Sequence, residues 1–136
     1  MAFNVQQINP LDLQPSVGVG VGLPFTSNTV FTTTYTTQEA LKTNLINFFL
    51  TGESERFFNP TFGAGIRTVL FDQYTDDRDE QIQGIIRSGI STWFPQITVN
   101  KLQTQFNADQ NTYIVYLAYS QKMTNIEDEL RINFEI

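Results

Sequence analysis

Glu53 and Glu55 stand two residues apart in a segment bounded by Gly52 and Arg56, and they are the residues most easily imagined in acid–base chemistry. Glycoside hydrolysis needs two carboxyl groups about 5 to 9.5 Å apart across a cleft, held at unlike pKa values. Sequence spacing establishes neither, and a solvated acidic turn or a partner for Arg56 is the commoner fate of such residues. Asp76, Asp77, Asp79 and Glu80 offer oxygen ligands for a hard cation, but the residues around Gly84 do not follow calcium-loop spacing. An acidic first helical turn explains them better, because it complements the helix dipole. Gly18, Gly20 and Gly22 lead into Leu23 and Pro24 rather than a lysine and a helix start, so no phosphate cradle is indicated. Trp93, Phe94 and the tyrosine-rich segment after Thr112 could line a ligand pocket, but aromatic residues at core periodicity more often fill the core.

The chain contains no cysteine and no histidine. Disulfides, thiolate metal sites and serine–histidine catalysis are thereby excluded or nearly so, and no cofactor or metal is expected. Eight basic against fourteen acidic residues give a net charge of −6, a poor basis for gripping phosphate backbones, so nucleic acid is not an expected partner. No stretch approaches the roughly 18 apolar residues of a membrane span, and a membrane is not an expected partner either. Met1 to Gln14 has no Lys or Arg and no signal-length apolar run, so secretion by the usual route is not indicated. A length of 136 residues suits one domain that buries roughly 68% of its unfolded surface.

The elements that would position these residues follow from the hydrophobic period. Residues 1–30 are poor in charge, punctuated by Pro10, Pro15 and alternating glycines, and without a helical period. They read as an extended arm that orders against a neighbour, with glycine allowing close backbone approach. Residues 31–136 form the domain. Thr36 and Glu39 have capping-box spacing, and Leu41, Leu45, Phe48 and Phe49 recur at helical intervals, which predicts a helix ending near Thr51 with Gly52 as its left-handed cap. A second helix runs from Asp77 or Arg78 to Trp93, with Ile82, Ile85, Ile86, Ile90 and Trp93 on its apolar face and Pro95 beyond its end. Gly84 and Gly89 each cost it roughly 1 kcal/mol unless they admit close packing. Ile66 to Phe71, between the helices, is a short apolar segment whose conformation the pattern leaves open.

After Pro95 the period becomes two. Ile97 to Phe106, Thr112 to Ser120 and Leu130 to Ile136 read as strands, the middle one apolar on both faces and therefore central. The fold class is α+β: a single domain with an antiparallel sheet of three or four strands, helices on one face, and an extended N-terminal arm. The last strand is an edge candidate that could recruit an extended arm from a partner. The alternative is an ordinary third strand covered by the chain's own N-terminal arm.

Gly52-Glu53-Ser54-Glu55-Arg56 after a helix, then Asn59-Pro60-Thr61-Phe62-Gly63-Ala64-Gly65, Leu70-Phe71, a second helix and Trp93-Phe94-Pro95-Gln96-Ile97 together resemble the small baseplate wedge family of contractile-tailed phages. This is the sheath-initiator subunit, with a relative in type VI secretion baseplates, and the resemblance spans Phe31 to Ile136. Gly52, Glu55, Arg56, Pro60, Phe62 and Gly63 fill its Gly-Glu-Arg and Pro-x-Phe-Gly positions. Family members usually carry Glu-Pro-Arg after the tryptophan, a charged pair thought to dock on the helical bundle of each wedge. Here the corner is Trp93, Phe94, Pro95 and Gln96, so the contact it implies is apolar and hydrogen-bonded rather than ionic.

The resemblance implies a structural, non-enzymatic subunit of the virion's tail baseplate, made in the host cytoplasm. Its partners would be the other wedge proteins, through their helical core bundle, and the tail sheath protein. The sheath-facing strand would be Leu130, Arg131, Ile132, Asn133, Phe134, Glu135 and Ile136, the first sheet offered to the arms of sheath subunits. The competing reading is a lysozyme-like cell-wall hydrolase using Glu53 and Glu55, a label sometimes attached to the family.

Overall fold

Helix α1 (Thr37–Leu50) starts where the capping signal places it: the Thr36 hydroxyl accepts the Glu39 amide at 3.2 Å, satisfying one of the orphan donors of the first turn. The computed structural model describes residues 8–14, 16–23, 33–71 and 76–135. Leu41, Leu45, Phe48 and Phe49 are buried on one side of α1. At its other end the Thr51 amide and hydroxyl both donate to the Asn47 carbonyl, at 3.0 and 2.6 Å. That threonine does the work expected of a left-handed Gly52. Among the described residues the left-handed region holds Ser54 (φ 67°), Gly63 (φ 123°), Gly65 (φ 59°), Asn111 and Asn125, and not Gly52.

The undecided apolar segment is a short helix, α2 (Ile66–Phe71), with Ile66 and Leu70 buried. Helix α3 (Arg78–Trp93) has Asp79 and Glu80 in its first turn and buries Ile82, Ile86 and Ile90. Its two glycines differ. A Cβ on Gly89 would lie 2.3 Å from Cζ of Phe48, whereas nothing lies within 4 Å of one on Gly84. Close packing of α1 on α3 therefore requires glycine at 89 alone. Phe48 is fully buried and makes edge-on ring contacts with Phe49, Phe62 and Phe94 at 5.5 to 5.7 Å between centroids.

Strands β3 (Ile97–Asn107), β4 (Thr112–Gln121) and β5 (Glu127–Glu135) form an antiparallel meander with β4 in the centre. Val115 faces Ile132 and Leu117 faces Leu130 across β4 and β5, all on the buried side under the helices. The opposite side carries Tyr116, half-buried, between Gln103 and Arg131. β5 begins at Glu127, earlier than the Leu130 expected, because pairing with Ser120 and Tyr119 extends it through a polar stretch. Ile136 lies outside the described residues.

The described parts of the N-terminal arm do not run free of the domain. Pro10–Leu13 form a single 3₁₀ turn, and the Asp12 carboxylate accepts the amide and the hydroxyl of Thr37, each at 2.7 Å. β1 (Gly20–Val21) pairs antiparallel with β2 (Thr33–Thr34). A Cβ on Gly20 would meet Thr34 Oγ1 at 2.9 Å and Ala40 Cβ at 3.3 Å, which is the close approach that alternating glycine permits. Residues 1–7, 15 and 24–30 of the arm lie outside the described residues.

Candidate functional site

Two surfaces bring the chemistry-bearing residues together: the outer edge of β5, and the loop between α1 and α2. The amide of Gln121 donates to the carbonyl of Ile126 at 3.0 Å, so this opposed couple is a hydrogen-bonded pair. Antiparallel pairs alternate between bonded and non-bonded along the ladder. With Ser120 opposite Glu127 and each later pair in unbroken register, the backbone groups of Glu127, Glu129, Arg131, Asn133 and Glu135 point away from β4. Among the described residues no strand lies on that side; the arm pairs within itself, as β1 with β2.

The two ends of this edge differ. The outward amide of Glu129 is taken by the Asp128 carboxylate at 2.8 Å, and Asp128 is 3.5 Å from Lys42 Nζ on α1. The Tyr119 hydroxyl reaches Asp128 Oδ2 at 3.3 Å; burial first, then Asp128, pushes that hydroxyl's pKa well above the ordinary tyrosine range. Among the described residues no such closure occurs from Arg131 to Glu135. Grooves flank the strand, one between it and Tyr35, Lys42 and Ile46, the other between Asn133, Glu135 and α2 at Arg67 and Phe71. Leu130, Ile132 and Phe134 are buried, while Arg131, Asn133 and Glu135 are exposed. Such a strand can accept another by backbone hydrogen bonds.

The residues expected to carry the family motif assemble into one closed loop. The Ser54 amide donates to the Pro60 carbonyl at 2.6 Å, and the Ala64 amide to the Phe48 carbonyl at 3.1 Å. Arg56 stacks its guanidinium 3.8 Å from the centroid of Phe62, whose ring meets Trp93 edge-on at 5.2 Å. A Cβ on Gly63 would fall 2.5 Å from the Thr51 carbonyl oxygen, and one on Gly52 would fall 2.8 Å from Glu55 Oε1. Gly52, Glu55, Arg56, Pro60, Phe62 and Gly63 are thus the parts of a loop tied to the C-terminal ends of α1 and α3. The corner after the tryptophan joins it: Trp93 is half-buried on Phe62, Pro95 and Gln96 are exposed, and Phe94 is turned inward, 6% exposed and edge-on to Phe48.

Glu53 and Glu55 are both exposed, Glu55 over Gly52 and Glu53 beside Gly65. Neither sits in the apolar enclosure that makes a carboxyl a general acid. Among the described residues no group of three or more His, Cys, Asp or Glu could hold a metal ion, and no helix is long and apolar enough to cross a membrane. Sequence reasoning missed Phe57 and Phe58, which are 91% exposed each. Their signal was a pair of adjacent aromatics in phase with neither helix nor strand, between Arg56 and Asn59-Pro60.

A family model described as baseplate wedge protein gp25 matches residues 36–126. The chain belongs to this family. The match covers α1, the closed loop, α3, β3 and β4, and stops at the residue before β5. A protein of Geobacter sulfurreducens, provisionally described as a tail lysozyme, superimposes with a TM-score of 0.66 at 20% identity, over 73% of this chain and 90% of its own. A chain of the anti-feeding prophage baseplate, seen by cryo-EM, superimposes with a TM-score of 0.52 at 18% identity, over 82% of this chain and 78% of its own. At these identities both show the fold alone. A search of curated proteins gives no match. Membership in the wedge family assigns the chain a structural role in a phage tail baseplate.

Proposed function

We propose that this wedge-family protein starts the tail sheath: anchored among wedge proteins in the virion's baseplate, it offers β5 to an extended arm of the first sheath subunits. The observation that carries this reading is the regular outward edge from Arg131 to Glu135, unpaired among the described residues and flanked by grooves. Strand addition would use the outward backbone groups of Arg131, Asn133 and Glu135, with alternate side chains of the incoming strand reaching the grooves. A head-to-tail contact of this kind can repeat without closing, which suits growth of a sheath from a ring. The anchoring side is assigned to Trp93, Pro95 and Gln96, which present apolar and hydrogen-bonding groups without the usual flanking charges. The protein would be made in the host cytoplasm and carried in the assembled tail.

Hydrogen exchange tests this. The full chain is compared alone and mixed with the sheath subunit of the same genome, following amides from Ile97 to Glu135. New protection concentrated at Arg131, Asn133 and Glu135 is expected. Unchanged exchange along β5 in the mixture would end the reading.

The description of the Geobacter protein as a tail lysozyme keeps one rival in view, cell-wall hydrolysis by Glu53 and Glu55. The exposed placement of both favours the structural reading. Release of soluble fragments from peptidoglycan by the protein, lost in Glu53→Gln or Glu55→Gln, would reverse that preference.

A further inference from the structure

The tip of the α1–α2 loop holds two phenylalanine rings almost wholly in solvent. Phe57 and Phe58 are each 91% exposed and touch one another edge-on, with centroids 5.3 Å apart and planes at 87°. An isolated exposed apolar residue is ordinary, but two adjacent aromatics projecting together are not. The loop beneath them is built. The Ser54–Pro60 hydrogen bond closes its neck, Ser54, Gly63 and Gly65 take left-handed backbone angles, and the Arg56 guanidinium lies over the Phe62 ring. A framework this constrained presents the rings at little further ordering cost, which is how aromatic anchors gain affinity.

The chemistry of the partner follows from what the loop lacks and what surrounds the rings. The backbone on either side of the rings is committed to turns, with the Ser54 amide donating to the Pro60 carbonyl at 2.6 Å and the Phe62 amide to the Asn59 carbonyl at 3.0 Å, and Pro60 has no donor, so the loop is poorly suited to adding to a sheet. Contact must be made by the two rings as a knob entering a concave apolar surface. The flanking charges at the surface are Glu53 and Glu55, both exposed, while Arg56 is half-buried on Phe62. Two carboxylates against one guanidinium make the loop that carries the rings net acidic, and its complement is basic. An anionic lipid surface is disfavoured by the same carboxylates and by the net charge of −6.

We infer that Phe57 and Phe58 are the anchor by which this chain docks into an apolar pocket, rimmed by Lys or Arg, on a neighbouring baseplate wedge protein. The inference rests on the proposed anchoring among wedge proteins and names its energetic centre. The knob is continuous with the Trp93 corner through Arg56, Phe62 and Trp93. It supplies an apolar contact in a chain whose corner has Phe94 turned inward and Gln96 in place of a charge.

The test is co-expression of the full, tagged chain with the other wedge proteins of the same genome, followed by affinity measurement on the retained complex. Phe57→Ser/Phe58→Ser is expected to weaken association at least about thirtyfold, as truncation of an interface hot spot does. Its thermal unfolding should match that of the parent, because rings this exposed support no core. Phe57→Leu/Phe58→Leu should restore most of the affinity, and Glu53→Lys/Glu55→Lys should slow association several-fold. Retention of the wedge proteins by the double serine variant at parental affinity would overturn the inference while leaving wedge anchoring in place. Failure of the parent chain to retain any wedge protein would overturn both. A parent chain that dimerises through the rings, or that binds phosphatidylglycerol vesicles through them, both lost in the double serine variant, would assign the knob to a second copy or to lipid and also overturn it.

Discussion

The sheet has two edges, and they are made differently. β5 pairs with β4 in one register from Glu127 to Glu135, so its outward backbone groups fall on every odd residue without interruption. β3 slips between Val99 and Lys101. The Lys122 amide donates to Gln96 at 2.9 Å, which puts the outward groups of β3 on Ile97 and Val99 before the slip, and on Leu102, Thr104 and Phe106 after it. A strand added to β3 would need a matching bulge to keep its bonds, whereas one added to β5 would not. Bulges of this kind are a recognised means of blunting an edge. The protein thus has one edge that discourages pairing and one that allows it, within a single meander.

The largest expected effect comes from placing proline at equivalent positions on the two edges. Asn133 and Thr104 both direct their amides outward, so proline at either removes no bond to β4. Asn133→Pro is expected to reduce capture of the sheath subunit on the order of a hundredfold, because an outward donor is lost and the ring obstructs a neighbouring strand. Thr104→Pro also breaks the 3.2 Å bond from Gln83 to the Thr104 hydroxyl but should leave capture within about threefold of the parent. Co-sedimentation with polymerising sheath protein measures both. Equal losses would erase the distinction between the edges.

How much of this was legible in the sequence depends on whether a feature is local. α1 and α3 follow from apolar spacing and from Thr36, and β4 from apolar residues on both faces, because burial on one stripe or on two faces is written in the period. The slip in β3 leaves a trace too: Ile97 and Val99 keep one parity, Leu102, Thr104 and Phe106 the other, and Asn100 absorbs the change. The start of β5 is not local, since Glu127 to Glu129 are ordered as a strand by their partners on β4. Gly52 misled because Thr51 closes the helix with its own hydroxyl, and the left-handed turn moved on to Ser54. α2 was undecidable, six apolar-rich residues being compatible with either period. At the corner, Trp93 and Phe94 look alike in sequence, and only packing against Phe48 and Phe62 separates the inward ring from the half-exposed one.

A middle-sized effect would sharpen the comparison by removing the bulge. Deleting Asn100 leaves Ile97, Thr98, Val99, Lys101 and Leu102 in consecutive alternation, with Ile97, Val99 and Leu102 still on the buried side. β3 would then match β5, with outward groups in one phase along its whole length. The expected result is concentration-dependent self-association through the repaired edge, seen by sedimentation velocity, with a stability cost of no more than about 1 to 2 kcal/mol. A monomeric deletion variant would mean that something other than the bulge protects β3.

The smallest effect concerns where the open part of β5 begins. Asp128 holds the Glu129 amide, sits beside Lys42 and receives the Tyr119 hydroxyl, so its loss should extend the accepting edge by one amide. Asp128→Ala is expected to raise exchange at Glu129 in the isolated protein, and to carry sheath-induced protection from Arg131 back to Glu129. Losing the partly exposed Lys42 pair itself should cost at most about 1 kcal/mol. The same cluster has a signature in alkali. Burial, then Asp128, raises the ionisation of Tyr119, and burial with Asp79, whose carboxylate accepts the Tyr113 hydroxyl at 2.6 Å, raises that of Tyr113. An unfolded tyrosine ionises near pH ~10, so below that pH the stability linked to these hydroxyls is intact, and above it the unfolded chain gains by losing protons that the folded one keeps. Urea unfolding between about pH 8 and about pH 11 should show stability falling above ~10, less steeply in Tyr119→Phe. In Asp128→Ala the fall should be intermediate, because the larger cause, burial, remains. An Asp128→Ala profile identical to the parent's would separate Tyr119 from the closure of β5 and leave Lys42 and the Glu129 amide as its whole content.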